Sequence, residues 1–191
     1  MRRYVEAQDG DCQVAYFTGP CGNVNPSATQ IGHYLRVKWN INSLDVKGYG
    51  EKLGAYVLKF MENMTTVDNG AVRSVGQNMP MIRRWLDYTI YPRLDAVSVG
   101  SEISFVTAPS EMFSTLGESI KERSPYDITF IMTCGEHVLI QYLPDWQTWF
   151  YPWLGGGNAY EALNSSTKLG QGAGEDMVDS LVGLLNVLWR R

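Results

Sequence analysis

The chain has 191 residues, of which 45% are hydrophobic and 19% are charged, values typical of one folded globular domain with a substantial core. Its net charge of −4, from 16 basic and 20 acidic residues, does not favour nucleic acid as a partner. No apolar run approaches the roughly 20 residues of a transmembrane helix, and the N-terminal residues have no apolar stretch typical of a secretory signal.

The first half of the chain predicts one strand, a turn-rich loop and one helix. Residues 13–18 are rich in β-forming side chains and predict a short buried strand. The glycines of residues 19–26 can bring backbone amides close to a ligand, and residues 27–46 predict a long loop. Apolar residues at helical spacing predict an amphipathic helix over residues 49–64, and the polar residues 65–79 predict a connection.

The second half carries the stronger patterns. Residues 81–92 fit either a strand or a short helix. Four segments have the pattern of strands and lie at residues 94–99, 103–108, 128–133 and 138–143. Two segments carry a helical apolar stripe and lie at residues 113–123 and 175–189. We therefore predict a single α/β domain over residues 1–191, with a mixed, predominantly β core flanked by helices.

The chain contains three cysteines, Cys12, Cys21 and Cys134. An odd number without C-x-x-C spacing does not indicate a zinc site built from cysteines. A reducing compartment is the simplest fit, so a cytoplasmic protein is predicted.

Glu111 is the first candidate site residue. It follows the predicted strand 103–108 in a Pro-Ser-Glu corner, directly before the predicted helix. Corners of this kind display reactive side chains, because the loop is exposed while its flanks are rigid. The alternative is structural, since an acidic residue at this position also stabilises the start of a helix.

Five segments, in order, resemble blocks of the neutral/alkaline non-lysosomal ceramidase family in its shorter bacterial form. They are G-P-C-G-N-V-N-P within residues 15–26, P-S-E-M-F-S-T-L-G within 108–121, Q-Y-L-P at 141–144, N-A-Y-E at 158–161 and G-A-G-E at 172–175. Ser110 stands where the family usually has glycine. The blocks cover nearly the whole chain, and the resemblance implies the second half of an α-β-β-α catalytic domain.

The resemblance also implies a zinc site. The family holds zinc with two histidines, a glutamate and a tyrosine, and the last two correspond to Glu111 and Tyr142. Carboxylate oxygen is an ordinary zinc ligand, and a nearby metal lowers the pKa of a phenol. The alternative for Tyr142 is a half-buried strand tyrosine. His33 and His137 do not occupy the family's ligand positions, so both histidine ligands are expected upstream of Met1.

Further roles follow from the same resemblance. Tyr160 corresponds to the tyrosine that stabilises the reacting carbonyl. Asn25 replaces the family's serine nucleophile, and an amide cannot accept an acyl group, so Asn25 is expected to position water or substrate. Gly22, Asn23 and Trp149 are expected to contact substrate. The alternative for Trp149 and its aromatic neighbours is burial in an interface.

The leading prediction is therefore the C-terminal portion of a zinc-dependent hydrolase that cleaves an amide or similar bond of a small or lipid-like substrate by metal-activated water. The alternative is a non-catalytic, truncated ceramidase-like protein that acts as a binding or structural module. Carbohydrate or lipid binding through the aromatic residues 146–153 is a third possibility. A partner is expected, either a complementary N-terminal half or a second copy of the chain.

Overall fold

The structure is a computed structural model that describes residues 1–24, 46–64, 70–82, 89–135, 140–150 and 169–191, with only the backbone at residues 149 and 150. The chain forms two compact units, one made of Met1–Phe17 and Asn25–Val67 and the other of Thr18–Val24 and Asp68–Arg191. The assignment of residues 1–191 to one domain stays a prediction, because compact units within a chain can belong to one domain.

The first unit contains helices α1 (Arg2–Gln8) and α2 (Val46–Met61). The two helices pack closely at Gly54, because a Cβ atom there would lie 2.5 Å from Cδ1 of the Tyr4 ring. The helix prediction for residues 49–64 is confirmed with a shift of three residues. Its apolar stripe remains largely exposed, since 71% of Phe60 is accessible.

The predicted strand at residues 13–18 is wrong, because these residues have no strand partner in the described structure. Val14 instead donates its backbone N–H to the carboxylate of Glu6, at 3.2 Å. The side chains here have β-forming types, but only weak alternation, and a strand requires a neighbour to complete its hydrogen bonds.

The described part of the second unit holds eight strands and three helices. The strands are β1 (Val72–Asn78), β2 (Met81–Ile82), β3 (Thr89–Ile90), β4 (Arg93–Val99), β5 (Ile103–Ala108), β6 (Glu111–Met112), β7 (Ile128–Thr133) and β8 (Tyr142–Leu143). The helices are α3 (Ser114–Arg123), α4 (Trp146–Phe150) and α5 (Ala173–Trp189). Strands β1, β4, β5 and β7 form one sheet in that order. Within this sheet β5 and β7 are parallel and the other pairings are antiparallel, so the predicted mixed α/β architecture is confirmed.

The core lies between this sheet and the helices α3 and α5. Buried and partly exposed side chains alternate along β4 and β5, as expected when one face of a sheet is covered. Helix α5 buries its apolar stripe, including Met177, Leu181 and Leu185. Gly174 permits its close approach, since a Cβ atom there would lie 2.8 Å from the carbonyl oxygen of Pro144.

A polar seam crosses the buried face of the sheet. The hydroxyls of Ser104 and Thr129 lie 2.9 Å apart, and Thr129 donates to the hydroxyl of Ser124 at 2.6 Å. Ser98 pairs with Ser104 across β4 and β5, and its buried hydroxyl has no partner. The seam therefore contains both satisfied and unsatisfied buried hydroxyls.

Several elements differ from the sequence predictions. Part of the predicted polar connection is strand β1, an edge strand whose exposed residues give no apolar alternation. The ambiguous segment 81–92 contains the two short strands β2 and β3, and residues 83–88 lie outside the described residues. The last predicted strand is reduced to β8, with residues 138 and 139 outside the described part. None of the helices in the described ranges is long and apolar enough to cross a membrane.

Candidate functional site

Glu111 and Tyr142 lie opposite each other on two short parallel strands. Strand β6 pairs with β8, with Glu111 in register with Tyr142 and Met112 in register with Leu143. Glu111 donates its N–H to the carbonyl of Gln141 at 2.8 Å, and Phe113 donates to Leu143 at 3.1 Å. Residues in register on neighbouring strands project from the same face. The structure therefore brings together the two residues that the resemblance assigns to the metal.

Burial defines which face this is. Met112 and Leu143 are completely or almost completely buried and belong to the hydrophobic core. Because side chains alternate along a strand, Glu111 and Tyr142 project from the other face, and both are partly exposed. Tyr142 is large enough that part of it also packs against the hydrophobic core, while the rest of the residue stays accessible.

The Thr18–Val24 segment runs along β6. Gly22 donates its N–H to the carbonyl of Met112 at 2.8 Å. A Cβ atom at Gly22 would overlap the carbonyl oxygen of Glu111 and lie 2.9 Å from Cδ1 of Phe113. Glycine is required here because two backbones approach too closely for any side chain. Gly22 therefore packs against the backbone of Glu111, and its predicted substrate contact stays a prediction.

Asn23 has a defined structural contact. Its side-chain oxygen accepts a hydrogen bond of 2.8 Å from the backbone N–H of Ser114, the first residue of α3. The residue before it, Phe113, provides no side-chain cap. Asn23 therefore satisfies one of the free amides of the helix start from a distant part of the sequence. Its substrate contact stays a prediction.

Two thiols lie beside Glu111. The Sγ atoms of Cys21 and Cys134 are 4.0 Å apart, and Cys134 donates its N–H to the carbonyl of Ser110 at 3.2 Å. Burial, and then the neighbouring Cys134, raise the pKa of the Cys21 thiol; the Glu111 carboxylate acts in the same direction, and a hydrogen bond with Thr133 opposes them. Cys21 is therefore a protonated thiol at neutral pH, which makes it a poor nucleophile or metal ligand.

Two buried polar atoms flank the Glu111–Tyr142 pair. The hydroxyl of Ser110 and the side-chain oxygen of Gln141 have no hydrogen-bond partner. Each belongs to the residue immediately before one member of the pair. Unsatisfied buried polar atoms are costly and uncommon, and these two lie directly before strands β6 and β8.

A pocket of about 250 Å³ adjoins this region and is lined by Arg93, Asp95, Thr107, Pro109 and Gly135. Its last two residues are the sequence neighbours of the site residues Ser110 and Cys134. The Arg93 guanidinium donates to the Asp95 carboxylate at 2.9 Å, which gives the pocket a polar wall. A separate pocket of about 340 Å³, between β2 and the start of α5, contains none of the predicted site residues.

The two residues that the resemblance assigns to zinc both carry oxygen donors. Glu111 and Tyr142 supply two oxygen donors from one face. Within the described ranges, no three His, Cys, Asp or Glu side chains lie close enough together to hold a metal ion. A catalytic zinc ordinarily has three protein ligands. The two residues fit the metal as a partial set, and the placement of the histidine ligands upstream of Met1 stays a prediction.

The remaining predicted residues are placed less fully. Asn25, Tyr160, His33 and His137 lie outside the described residues. Trp149 belongs to α4, whose first turn is capped by Asp145: its carboxylate accepts bonds from the backbone N–H and hydroxyl of Thr148, at 2.9 and 2.7 Å.

The sequence predictions did not identify the thiol pair. Cys21 and Cys134 are separated by 113 positions, so no local spacing connects them. The available signal covered only Cys134, which directly follows the predicted strand at residues 128–133; the strand predicted before Cys21 is not formed in the described residues.

Comparisons with known proteins add no family assignment. No protein-family model matches the chain, and no match is found among curated proteins or solved structures.

Proposed function

We propose that this chain is part of a zinc-dependent hydrolase resembling neutral ceramidase, which cleaves an amide or similar bond in a small or lipid-like substrate. One observation carries the proposal: Glu111 and Tyr142, assigned to the metal by resemblance alone, are paired in register on adjacent strands. They are 31 positions apart, and a parallel pairing shifted by one residue would place them on opposite faces.

Each residue then has a stated role. Glu111 and Tyr142 hold the zinc ion, with their backbones fixed by the β6–β8 hydrogen bonds. Bound zinc supplies a Lewis acid that polarises a carbonyl and lowers the pKa of water. Tyr160 donates a hydrogen bond to the oxyanion that develops on the substrate, and Asn25 orients the attacking water. The pocket beside Pro109 receives the polar end of the substrate.

The other metal ligands come from a partner polypeptide. Two oxygen donors are fewer than a catalytic zinc requires, and the resemblance assigns the other two ligands to histidines. A chain that carries the histidine-bearing half is the partner this proposal requires, or a second copy of this chain brings its own side chains to the site.

Zinc titration by calorimetry tests the assignment in the chain itself. We expect Glu111→Gln and Tyr142→Phe each to weaken zinc binding by at least about tenfold, because each removes a donor. Glu118→Gln is the matched control, since Glu118 is an exposed glutamate on α3. It is expected to bind zinc like the unaltered chain. Equal affinity in all four proteins would contradict the site.

A non-catalytic binding module is the second candidate. It is favoured by Asn25, which stands where the resembled family has its serine nucleophile and cannot accept an acyl group. A fluorogenic N-acyl amide, assayed with zinc and with or without candidate partner chains, separates the two. Turnover that is lost in Glu111→Gln supports the hydrolase. Reversible binding of the same amide without turnover, with zinc and each candidate partner chain present, supports the binding module.

A further inference from the structure

The thiol pair, Cys21 and Cys134, has the placement of a disulfide in its reduced state. Its sulfur atoms are 4.0 Å apart, and a disulfide requires about 2.05 Å. The difference of about 2 Å is within reach of a rotamer change in one or both side chains. Cys134 is exposed and Cys21 is partly exposed, so a small oxidant in solution has access to the pair.

The backbone on both sides of the pair is already held in place. The N–H of Thr133 donates to the carbonyl of Thr18 at 2.8 Å, and its hydroxyl donates to the carbonyl of Gly19 at 2.7 Å. Gly22 is bound to Met112 on the other side of Cys21. The folded chain already holds these two sequence-distant thiols together, so forming a bond between them requires little further loss of chain entropy.

Cys134 also adopts a left-handed backbone conformation, with φ of 59°. This conformation is uncommon for residues other than glycine. Its Sγ atom lies 3.8 Å from both the carbonyl oxygen of Ser110 and the hydroxyl of Thr133. The chain thus turns at the end of β7 so that this thiol lies over the start of β6.

We propose that Cys21 and Cys134 form a reversible intramolecular disulfide by exchange with a small-molecule disulfide of the glutathione class, which fastens the Thr18–Val24 segment to the end of β7 beside Glu111. This modification site does not depend on zinc or on hydrolysis. The disulfide would place a covalent link at the C-terminal ends of the parallel strands β5 and β7, next to the pocket lined by Pro109 and Gly135.

The exchange proceeds in two steps. The Cys134 thiol loses its proton and attacks one sulfur of the small disulfide, which forms a mixed disulfide and releases a small thiolate that takes up a proton. The Cys21 thiol then loses its proton and attacks the Cys134 sulfur, which closes the Cys21–Cys134 bond and releases the second small thiolate, again taking up a proton. The protein loses two electrons and two protons, and the small disulfide gains both. Cys134 is exposed and Cys21 only partly exposed, which favours this order of attack because the small disulfide reaches Cys134 first.

The test uses the full chain carrying Cys12→Ser, which leaves only the pair. Reduced protein is equilibrated with glutathione buffers of increasing oxidised fraction, with a chelator present, then treated with a thiol-alkylating reagent and weighed by mass spectrometry. We expect two alkylated thiols to be replaced by a monomer lighter by two hydrogens, without a glutathione adduct. The midpoint of thermal unfolding should rise by about 5–10 °C on oxidation and return on reduction.

The matched control is Cys21→Ser, which keeps Cys12 and Cys134. It should stop at mixed disulfides with glutathione, because it lacks the thiol that lies 4.0 Å from Cys134. The proposal is overturned if the Cys12→Ser chain accumulates glutathione adducts or linked dimers in place of the internal bond. It is equally overturned if Cys21→Ser closes an internal disulfide as readily.

Discussion

Gly22→Ala is expected to destabilise the chain by about 3 kcal/mol. The added Cβ would overlap the carbonyl oxygen of Glu111 and come within 2.9 Å of Cδ1 of Phe113, where carbon atoms ordinarily stay about 3.5–4.0 Å apart. The obstacle is backbone, so the Thr18–Val24 segment must move away. That displacement costs about 1–3 kcal/mol as overpacking, and about 1 kcal/mol more if it breaks the hydrogen bond between Gly22 and Met112.

Urea unfolding followed by circular dichroism measures this loss. For a chain of this size, about 3 kcal/mol corresponds to a fall of about 6–12 °C in the thermal midpoint. Gly183→Ala is the control, because no atom lies within 4 Å of its added Cβ and the residue is inside α5. It should stabilise by about 0.5–1 kcal/mol through helix propensity. A Gly22→Ala protein within about 0.5 kcal/mol of the unaltered chain would show that the segment does not pack on β6.

Three further predictions concern single side chains. Asn23→Ala should cost about 1 kcal/mol by uncapping α3, whereas Asn23→Asp keeps the acceptor and should cost less than about 0.3 kcal/mol; equal losses in chemical denaturation would contradict the cap. Ser98→Ala should stabilise the fold by about 0.5–1 kcal/mol, because its buried hydroxyl has no hydrogen-bond partner. Ser104→Ala should cost about 1 kcal/mol, because its hydroxyl is hydrogen-bonded to Thr129. A loss of stability in both variants would refute this difference between the two hydroxyls. The pKa of the Cys21 thiol is raised in the folded chain, so the unfolded chain loses this proton first as pH rises above the ordinary value of 9.0, and the free energy of unfolding falls. Cys21→Ser should remove this part of the decrease of the unfolding free energy with pH. An unchanged decrease would contradict the raised pKa.

The parts of the fold that were predicted correctly have patterns that extend over several residues. Strand β7 was predicted at its observed bounds, and α5 with two residues missing at its start. Helix α5 buries a regular set of apolar side chains, so its periodicity reports its environment. Strand β7 buries Thr129 and Thr133 and exposes Ile128 and Phe130, so its β-forming residue types predicted it rather than a buried apolar face. Strand β1 was missed because an edge strand exposes most of its residues, which removes the alternation that identifies strands.

The candidate site was less accessible to sequence reasoning. Strands β6 and β8 have two residues each, too few to show any period, so their pairing depends on the tertiary structure. The resemblance pointed to Glu111 at a strand-to-helix corner and to Tyr142 at a predicted strand end, but it did not predict that the two short strands pair. Cys21 remained unconnected to Cys134, because contact between thiols 113 positions apart arises only from folding.

The most direct test of the central claim is anomalous diffraction at the zinc absorption edge, from crystals of the chain grown with zinc. The proposal predicts a peak about 2.0–2.2 Å from a carboxylate oxygen of Glu111 and at coordination distance from the phenol oxygen of Tyr142. A zinc ion bound elsewhere, with these two oxygens directed away from each other, would contradict it.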